Sequence, residues 1–174
     1  ADYTKAIELK PNYTKGYGNR GTIKLKLRDY SGAIEDFSKA IELDPREGLW
    51  YSNMGILRGN LKDYDIAIIY YNKAIELYLL ESDVPYNLKN GRHKALTLNN
   101  VIAQRNALAR NYHYRSMTYE QLGKTYEACK DLKEIQREYA LFYSSQFEGP
   151  KTFIDNQWKV GPQNLEKRIN KLCN

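Results

Sequence analysis

Apolar positions recur along this chain at helical spacing, in paired runs separated by short polar breaks. Over residues 15 to 45, Tyr17, Gly21, Ile23 and Leu27 make one run, and Ala33, Ile34, Phe37, Ala40, Ile41 and Leu43 make the next. Each run marks one face of an amphipathic helix. Between them Arg28-Asp29-Tyr30 interrupts the pattern, and Asp29 is placed to accept the free N–H groups that open the second helix. Asp44-Pro45 stops that helix, because proline disfavours helical geometry in the residue before it. The two runs predict a helical hairpin.

The same chemistry returns 34 residues later. Tyr17 recurs as Tyr51, Gly21 as Gly55, Leu27 as Leu61, Asp29-Tyr30 as Asp63-Tyr64, Ala33 as Ala67 and Phe37 as Tyr71. The block Lys39-Ala40-Ile41-Glu42-Leu43 recurs as Lys73-Ala74-Ile75-Glu76-Leu77, and an earlier copy, Lys5-Ala6-Ile7-Glu8-Leu9, opens the chain. A fixed period of this length is the mark of stacked hairpins that bury their apolar faces against one another. Small residues fall where backbones must approach: Gly21 and Ala33 within a hairpin, Ala40 towards the next one.

With its Tyr-x-x-x-Gly, Asp-Tyr-x-x-Ala, Phe or Tyr, Ala and Pro positions, the 34-residue unit resembles the tetratricopeptide repeat. The resemblance covers Thr14 to Leu79 and returns from Ala109 to about Phe142, where Tyr112, Ser116, Tyr119, Leu122-Gly123, Ala128 and Leu132 hold the same register. There Ser116 replaces the small Gly and Ile135 the Ala, which predicts looser or different packing. Arg20 and Lys24 occupy positions where the family carries apolar or aromatic residues, and they predict a less tightly packed opening helix. The resemblance implies an all-α fold, a solenoid of antiparallel helix hairpins. Read along the chain, the array is a partial repeat over 1–13, repeats over 14–47 and 48–81, an insertion over 82–108, a degenerate repeat over 109–142 and a C-terminal cap over 143–174.

The insertion is the most individual part. Its first residues, 81 to 91, have the Pro, Gly, Asn and Asp content of a loop, while Leu98, Ile102, Leu108, Ala109, Tyr112 and Tyr119 predict one long helix from near His93 to Leu122. After the third hairpin, Gly149-Pro150 and Gly161-Pro162 bracket Phe153, Ile154 and Trp158. The segment from Pro162 to Asn174 predicts a helix with Leu165, Ile169 and Leu172 along one side. A solenoid needs its last apolar face covered, so this tail is expected to be the cap, with Trp158 folded against it. Docking to another protein is the alternative for the same helix.

Composition narrows the function. At 174 residues and 42% apolar, the chain is expected to be one array. Most of its 16 tyrosines occupy repeat positions and are read as packing. No apolar run approaches the ~18 residues of a membrane span, so no membrane insertion is expected. The formal charge of +6 is uneven: residues 1–90 hold 13 basic and 13 acidic side chains, residues 91–174 hold 14 and 8. Between Asp83 and Glu120 no acidic residue occurs, while Lys89, Arg92, Lys94, Arg105, Arg110 and Arg115 do. A solvated face, an acidic partner segment and nucleic acid all fit such a stretch. Cys129 and Cys173 have no metal-ligand or disulfide spacing and are read as ordinary thiols. The first residues fall inside a helix, so the native N-terminus is expected to be missing and the compartment stays open.

No catalytic pattern emerges. His93 and His113 lack metal-binding spacing, and there is no Gly-rich phosphate loop or nucleophile elbow. No cofactor, metal or small-molecule substrate is expected. Stacked hairpins instead line a concave wall with their opening helices. That wall would present Lys15, Gly18, Asn19, Thr22 and Lys26, then Leu49, Ser52, Asn53, Ile56 and Asn60, then Arg110, His113, Tyr114, Met117 and Gln121. Asn amides can bond a peptide backbone through both donor and acceptor, and Leu49, Ile56, Tyr114 and Met117 would supply apolar pockets. Some tetratricopeptide proteins hold a chaperone's C-terminal carboxylate with Lys, Asn and Arg residues. Here Asn53 and Arg110 match, but Gly18, Thr22 and Tyr114 stand where Lys, Asn and Arg are wanted. Starting from the partial hairpin, Asn19 and Asn53 match while Leu49 replaces the Lys, so the set is incomplete in either register. The expectation is therefore a non-catalytic scaffold that binds a partner protein or peptide, with an acidic segment favoured. A helical-repeat nucleic-acid binder using Lys89 to Arg115, or the regulatory portion of a larger enzyme, are the alternatives.

Overall fold

The computed structural model describes residues 2–82, 98–144 and 162–173. Among them the chain forms eight helices and no strand: α1 (Asp2–Leu9), α2 (Thr14–Lys26), α3 (Tyr30–Leu43), α4 (Gly48–Asn60), α5 (Tyr64–Ser82), α6 (Leu98–Gln121), α7 (Thr125–Ser144) and α8 (Pro162–Leu172). The loop expected over 81 to 91 lies almost wholly outside the described residues, as do the first turn expected for α6 and Phe153, Ile154 and Trp158. The chain divides into two compact units, residues 1–111 and 112–174, with the boundary inside α6.

Each hairpin turns on the same backbone device. Arg28, Lys62 and Gly123, the residues after Leu27, Leu61 and Leu122, all adopt the left-handed conformation, with φ of 63°, 64° and 70°. The next N–H then reaches back over the helix end: Asp29 to the carbonyl of Lys24, Asp63 to Arg58 and Lys124 to Tyr119, each at 2.9 Å. These bonds satisfy carbonyls that a helix C-terminus leaves open. Only Gly123 takes this conformation without a Cβ penalty. The Asp29 carboxylate caps α3 by accepting from the Gly32 N–H at 3.0 Å. The Asp63 carboxylate accepts from Arg58 Nη1 at 3.1 Å, so it ties α4 to the turn.

Inside the first unit, α2 packs on α3 and α4 on α5 through glycine. A Cβ on Gly21 would meet the Phe37 ring at 2.9 Å, and one on Gly55 would meet the Tyr71 ring at 2.6 Å. Ser116 holds this position in the second unit, fully buried, and the residue in register with Phe37 and Tyr71 is Leu132, also buried, smaller and aliphatic. The replacement of Gly by Ser is thus matched by a side chain without a ring, and Ile135 is buried in place of Ala40 and Ala74. Ala33, Phe37, Met54 and Leu57 form the centre of the first unit, with Leu25, Tyr30, Ile34, Ile41 and Tyr70 packed round it. Ile23 and Leu27, expected on the inner face, are exposed instead. The buried residues of α2 are instead Gly16, Gly18 and Gly21, each against a different neighbour, which hydropathy does not register.

Arg20 and Lys24 do not loosen α2. Both converge on Asp36 of α3, which is only 2% exposed: Arg20 donates twice, at 2.9 and 2.7 Å, and Lys24 lies at 3.0 Å. The second unit repeats the pair at the same 16-residue spacing, with Arg115 donating to Asp131 at 2.9 and 2.6 Å. At the corresponding positions of the middle hairpin stand Met54 and Tyr70, packed together in the apolar cluster. Charge pair and apolar pair are alternatives of similar worth, whereas removing one ion alone costs about 3–5 kcal/mol.

The reading of Cys129 and Cys173 as free thiols is overturned. They form a disulfide across 44 residues, with Cα atoms 5.4 Å apart, joining α7 to the residue that follows α8. Sequence spacing misses it because the two meet only once α8 has docked on α7.

Two measurements check this packing. Gly55→Ala drives a Cβ into the Tyr71 ring, an overpacking cost of about 1–3 kcal/mol that exceeds the ~1 kcal/mol of helix propensity gained. Urea denaturation should show a net loss that Tyr71→Leu in the same chain partly restores. The second concerns charge. Burial raises both carboxyls, but Asp36 is bonded by two cations, Arg20 and Lys24, and ends below its ordinary value, while Asp131, bonded by Arg115 and with Glu134 nearby, ends above it. Asp36 therefore contributes stability above its unfolded pKa that is lost as pH falls through its lower folded value. Asp131 carries a penalty that is relieved as pH falls through its raised value. Carboxyl-carbon NMR should place Asp36 below and Asp131 above the ordinary 3.8. Lys24→Met should move Asp36 upward.

Candidate partner-binding surface

Helices α2, α4 and α6 lie at equivalent places in successive repeats, and one contact sets the spacing of their backbones. In the first unit the Trp50 ring of α4 lies on the backbone of Gly18 in α2, where an added Cβ would sit 2.1 Å from the indole. The same positions one hairpin on are Asn111 and Ser52, and they too meet: the Ser52 hydroxyl donates to the Asn111 Oδ1 at 2.6 Å, with both residues buried. The Asn111 amide in turn donates to the Ala107 carbonyl at 2.8 Å. Gly18 and Ser52, expected on the open wall, are therefore parts of the helix-to-helix contact. The 27-residue insertion does not break the register, because α6 arrives with Asn111 where α4 has Trp50.

Around that contact the remaining expected positions divide by exposure. In the first unit Lys15, Lys26 and Asn60 are exposed, while Asn19, Thr22, Leu49, Asn53, Ile56 and Arg110 are half-buried. Two of them are brought together directly: the Asn53 amide donates to Thr22 Oγ1 at 3.3 Å, and that hydroxyl donates to the Gly18 carbonyl at 2.9 Å. Leu49 is fixed at the start of α4, its N–H donating to the Glu47 carboxylate at 3.1 Å. Lys15, Lys26 and Arg110 have no carboxylate partner among the described residues, unlike Arg20, Lys24, Arg58 and Lys73, which are paired. The Arg110 Nε is buried without a hydrogen bond among those residues.

The second unit holds the other four positions, of which Gln121 is exposed at the end of α6. Met117 is exposed, and Tyr114 is half-buried with its ring 5.7 Å from that of His113. His113 is not an open wall residue. Its Nδ1 lies 3.1 Å from Arg168 Nη1 of α8, and burial first, then the Arg168 charge, lower its pKa to about 4. Arg168 also donates to Ser116 Oγ at 3.2 Å and forms an ion pair with Glu120. Arg115 sits between the rings of Tyr112 and Tyr119, 5.4 and 5.9 Å from their centres, as Arg20 sits over Tyr17. The anchoring carboxylates Asp36 and Asp131 escaped sequence reading. The 16-residue Arg–Asp spacing shared by two repeats is the signal that marks them.

Among the described residues no group of three or more His, Cys, Asp or Glu is placed to hold a metal, and no helix is long and apolar enough to cross a membrane. What the surface offers is amides, three cations without a carboxylate partner among the described residues and a few half-buried apolar side chains on the opening helices.

The fold has clear counterparts. The N-terminal domain of the stress-induced protein STI-1 from C. elegans superposes with a TM-score of 0.61 over 92% of this chain and 94% of that one, at 16% identity. The TPR domain of OM64 from Arabidopsis gives 0.57 over 91% and 94%, also at 16% identity. At these identities the likeness is one of fold. No curated protein matches the chain in sequence. Family models of the tetratricopeptide repeat match residues 14–47 and again 51–79, the two hairpins in which the Gly21–Phe37 and Gly55–Tyr71 contacts were found. Residues 14–47 and 51–79, two hairpins of a chain that is all-helical among the described residues, are tetratricopeptide repeats.

Proposed function

We propose that this protein is a non-catalytic scaffold whose α2 and α4 faces bind an extended acidic segment of a partner protein. Tetratricopeptide repeats are protein-interaction modules, and solenoid repeats of this kind present extended surfaces for partners. The observation that carries the finer reading is the charge state of the surface: Lys15, Lys26 and Arg110 flank Asn19 and Asn53 without carboxylates of their own among the described residues. Burying an acidic side chain against such cations gives it the partner that a charge needs on leaving water. Asn19 and Asn53 suit the peptide backbone, and Leu49 and Ile56 suit apolar anchors between the charges. Tyr114 and Met117 form the corresponding surface of the second unit.

Fluorescence anisotropy with length-matched acidic, neutral and basic peptides tests this. The acidic set should bind most tightly, and higher salt should weaken it mainly through slower association. Lys15→Ala with Asn53→Ala should raise the dissociation constant about tenfold, equivalent to about 1.4 kcal/mol, while the circular dichroism of the folded chain stays unchanged. Equal binding of all three peptide classes, or no loss in the folded double variant, would contradict the assignment. A steep log–log salt slope with single-stranded oligonucleotides, and none with peptides, would replace it by nucleic-acid binding.

A further inference from the structure

Three of the anchors that hold α8 on the second unit are defined among the described residues. Leu165 in its first turn is buried, Arg168 one turn on reaches His113, Ser116 and Glu120 of α6, and Cys173 at the far end is bonded to Cys129 of α7. The helix is 11 residues long, shorter than the ~12–15 residues at which isolated helices become even marginal in water. It is helical because it is docked. Of the non-covalent anchors, Leu165 is a single buried side chain, and the Arg168–Glu120 pair is partly exposed, a setting in which ion pairs contribute little. Ile169 and Leu172, the remaining apolar positions of its inner side, are only half-buried. The covalent bond is the strongest of these three anchors.

We propose that the Cys129–Cys173 disulfide is a redox latch: oxidised, it keeps α8 over the α6–α7 surface; reduced by a dithiol, it lets α8 leave and uncovers that surface. A thiolate of the dithiol attacks Sγ of Cys173, the more exposed of the two cysteines, and the S–S bond breaks. Cys129 leaves as a thiolate and takes up a proton. The second sulfur of the dithiol then displaces Cys173, which is protonated in turn. Two electrons pass from the dithiol to the cystine, and the reductant departs as its own disulfide. What α8 then gives up is a defined patch: His113, Ser116 and Glu120 lose Arg168, while the Ser116 hydroxyl keeps its bond to the His113 carbonyl at 2.7 Å. Residues 2–82 carry no part of the latch.

The test uses the whole chain, equilibrated with reduced or oxidised dithiothreitol, and follows two readouts: amide exchange along α7 and α8, and the histidine ring signals by NMR, assigned with a His93→Gln variant. In the oxidised chain α8 should be protected and His113 should titrate at about 4. In the reduced chain α8 protection should fall at least tenfold and His113 should move towards its ordinary 6.5, because both water and distance from Arg168 return. Protection along α3, α4 and α5 should not change. Cys173→Ser should reproduce the reduced behaviour without reductant. A reduced chain that keeps α8 protected with His113 near 4 would overturn the proposal. So would loss of α7 together with α8, which would make the bond a structural staple, or two titratable thiols in the chain purified without reductant.

Discussion

The first unit depends on how closely the opening helices can approach. Where α4 meets α2, the Trp50 ring lies on a backbone that has no Cβ at Gly18. Where α6 meets α4, a buried hydroxyl–amide bond between Ser52 and Asn111 takes the same place. The first contact is dispersion and area, the second a hydrogen bond that must be made once its groups are buried. Both put the next opening helix at the register the repeat requires. From that spacing follows which face of α2 and α4 stays open, the face on which Lys15, Asn19, Leu49 and Asn53 are exposed or half-buried.

Within each hairpin a second set of contacts works in parallel. Gly21 with Phe37 and Gly55 with Tyr71 set a ring against glycine, and at the same register positions of the second unit Ser116 and the smaller Leu132 are both buried. Arg20 with Asp36 and Arg115 with Asp131 bracket a hairpin in which Met54 and Tyr70 do the same work without charge. The chain thus varies both partners of a contact together. That is expected when a lone buried ion, or a lone overlarge side chain, costs more than either complete pair.

Much of this was legible in the sequence. The period fixed the helix pairs, the turns and the small positions, since each repeat re-states them at constant spacing, and α3, α4 and α5 begin within a residue or two of where the breaks lie. What escaped has physical reasons. Hydropathy could not rank Ile23 and Leu27, which are exposed, below the buried glycines of the same helix, because glycine has no side chain to score. Gly18, Ser52 and His113 were assigned to the open wall because helical phase gives a direction and not a neighbour. Their partners, Trp50, Asn111 and Arg168, come from other helices. The disulfide was invisible for the same reason, as Cys129 and Cys173 are brought together by the docking of α8. The proposed binding positions rest on the register, and among the described residues the Asn53–Thr22 contact joins two of them across helices.

The most direct measurement is a double-mutant cycle by chemical denaturation at Gly18 and Trp50. Gly18→Ala alone should destabilise the first unit, since the new Cβ has no room beneath the indole. In a Trp50→Ala chain the same substitution should become stabilising, by up to about 1 kcal/mol, because only the helix propensity of alanine then remains. A change of sign is the predicted result. Equal effects of Gly18→Ala in both backgrounds would mean that the ring and the bare backbone are not what sets the helix spacing, and the account built on that contact would fall.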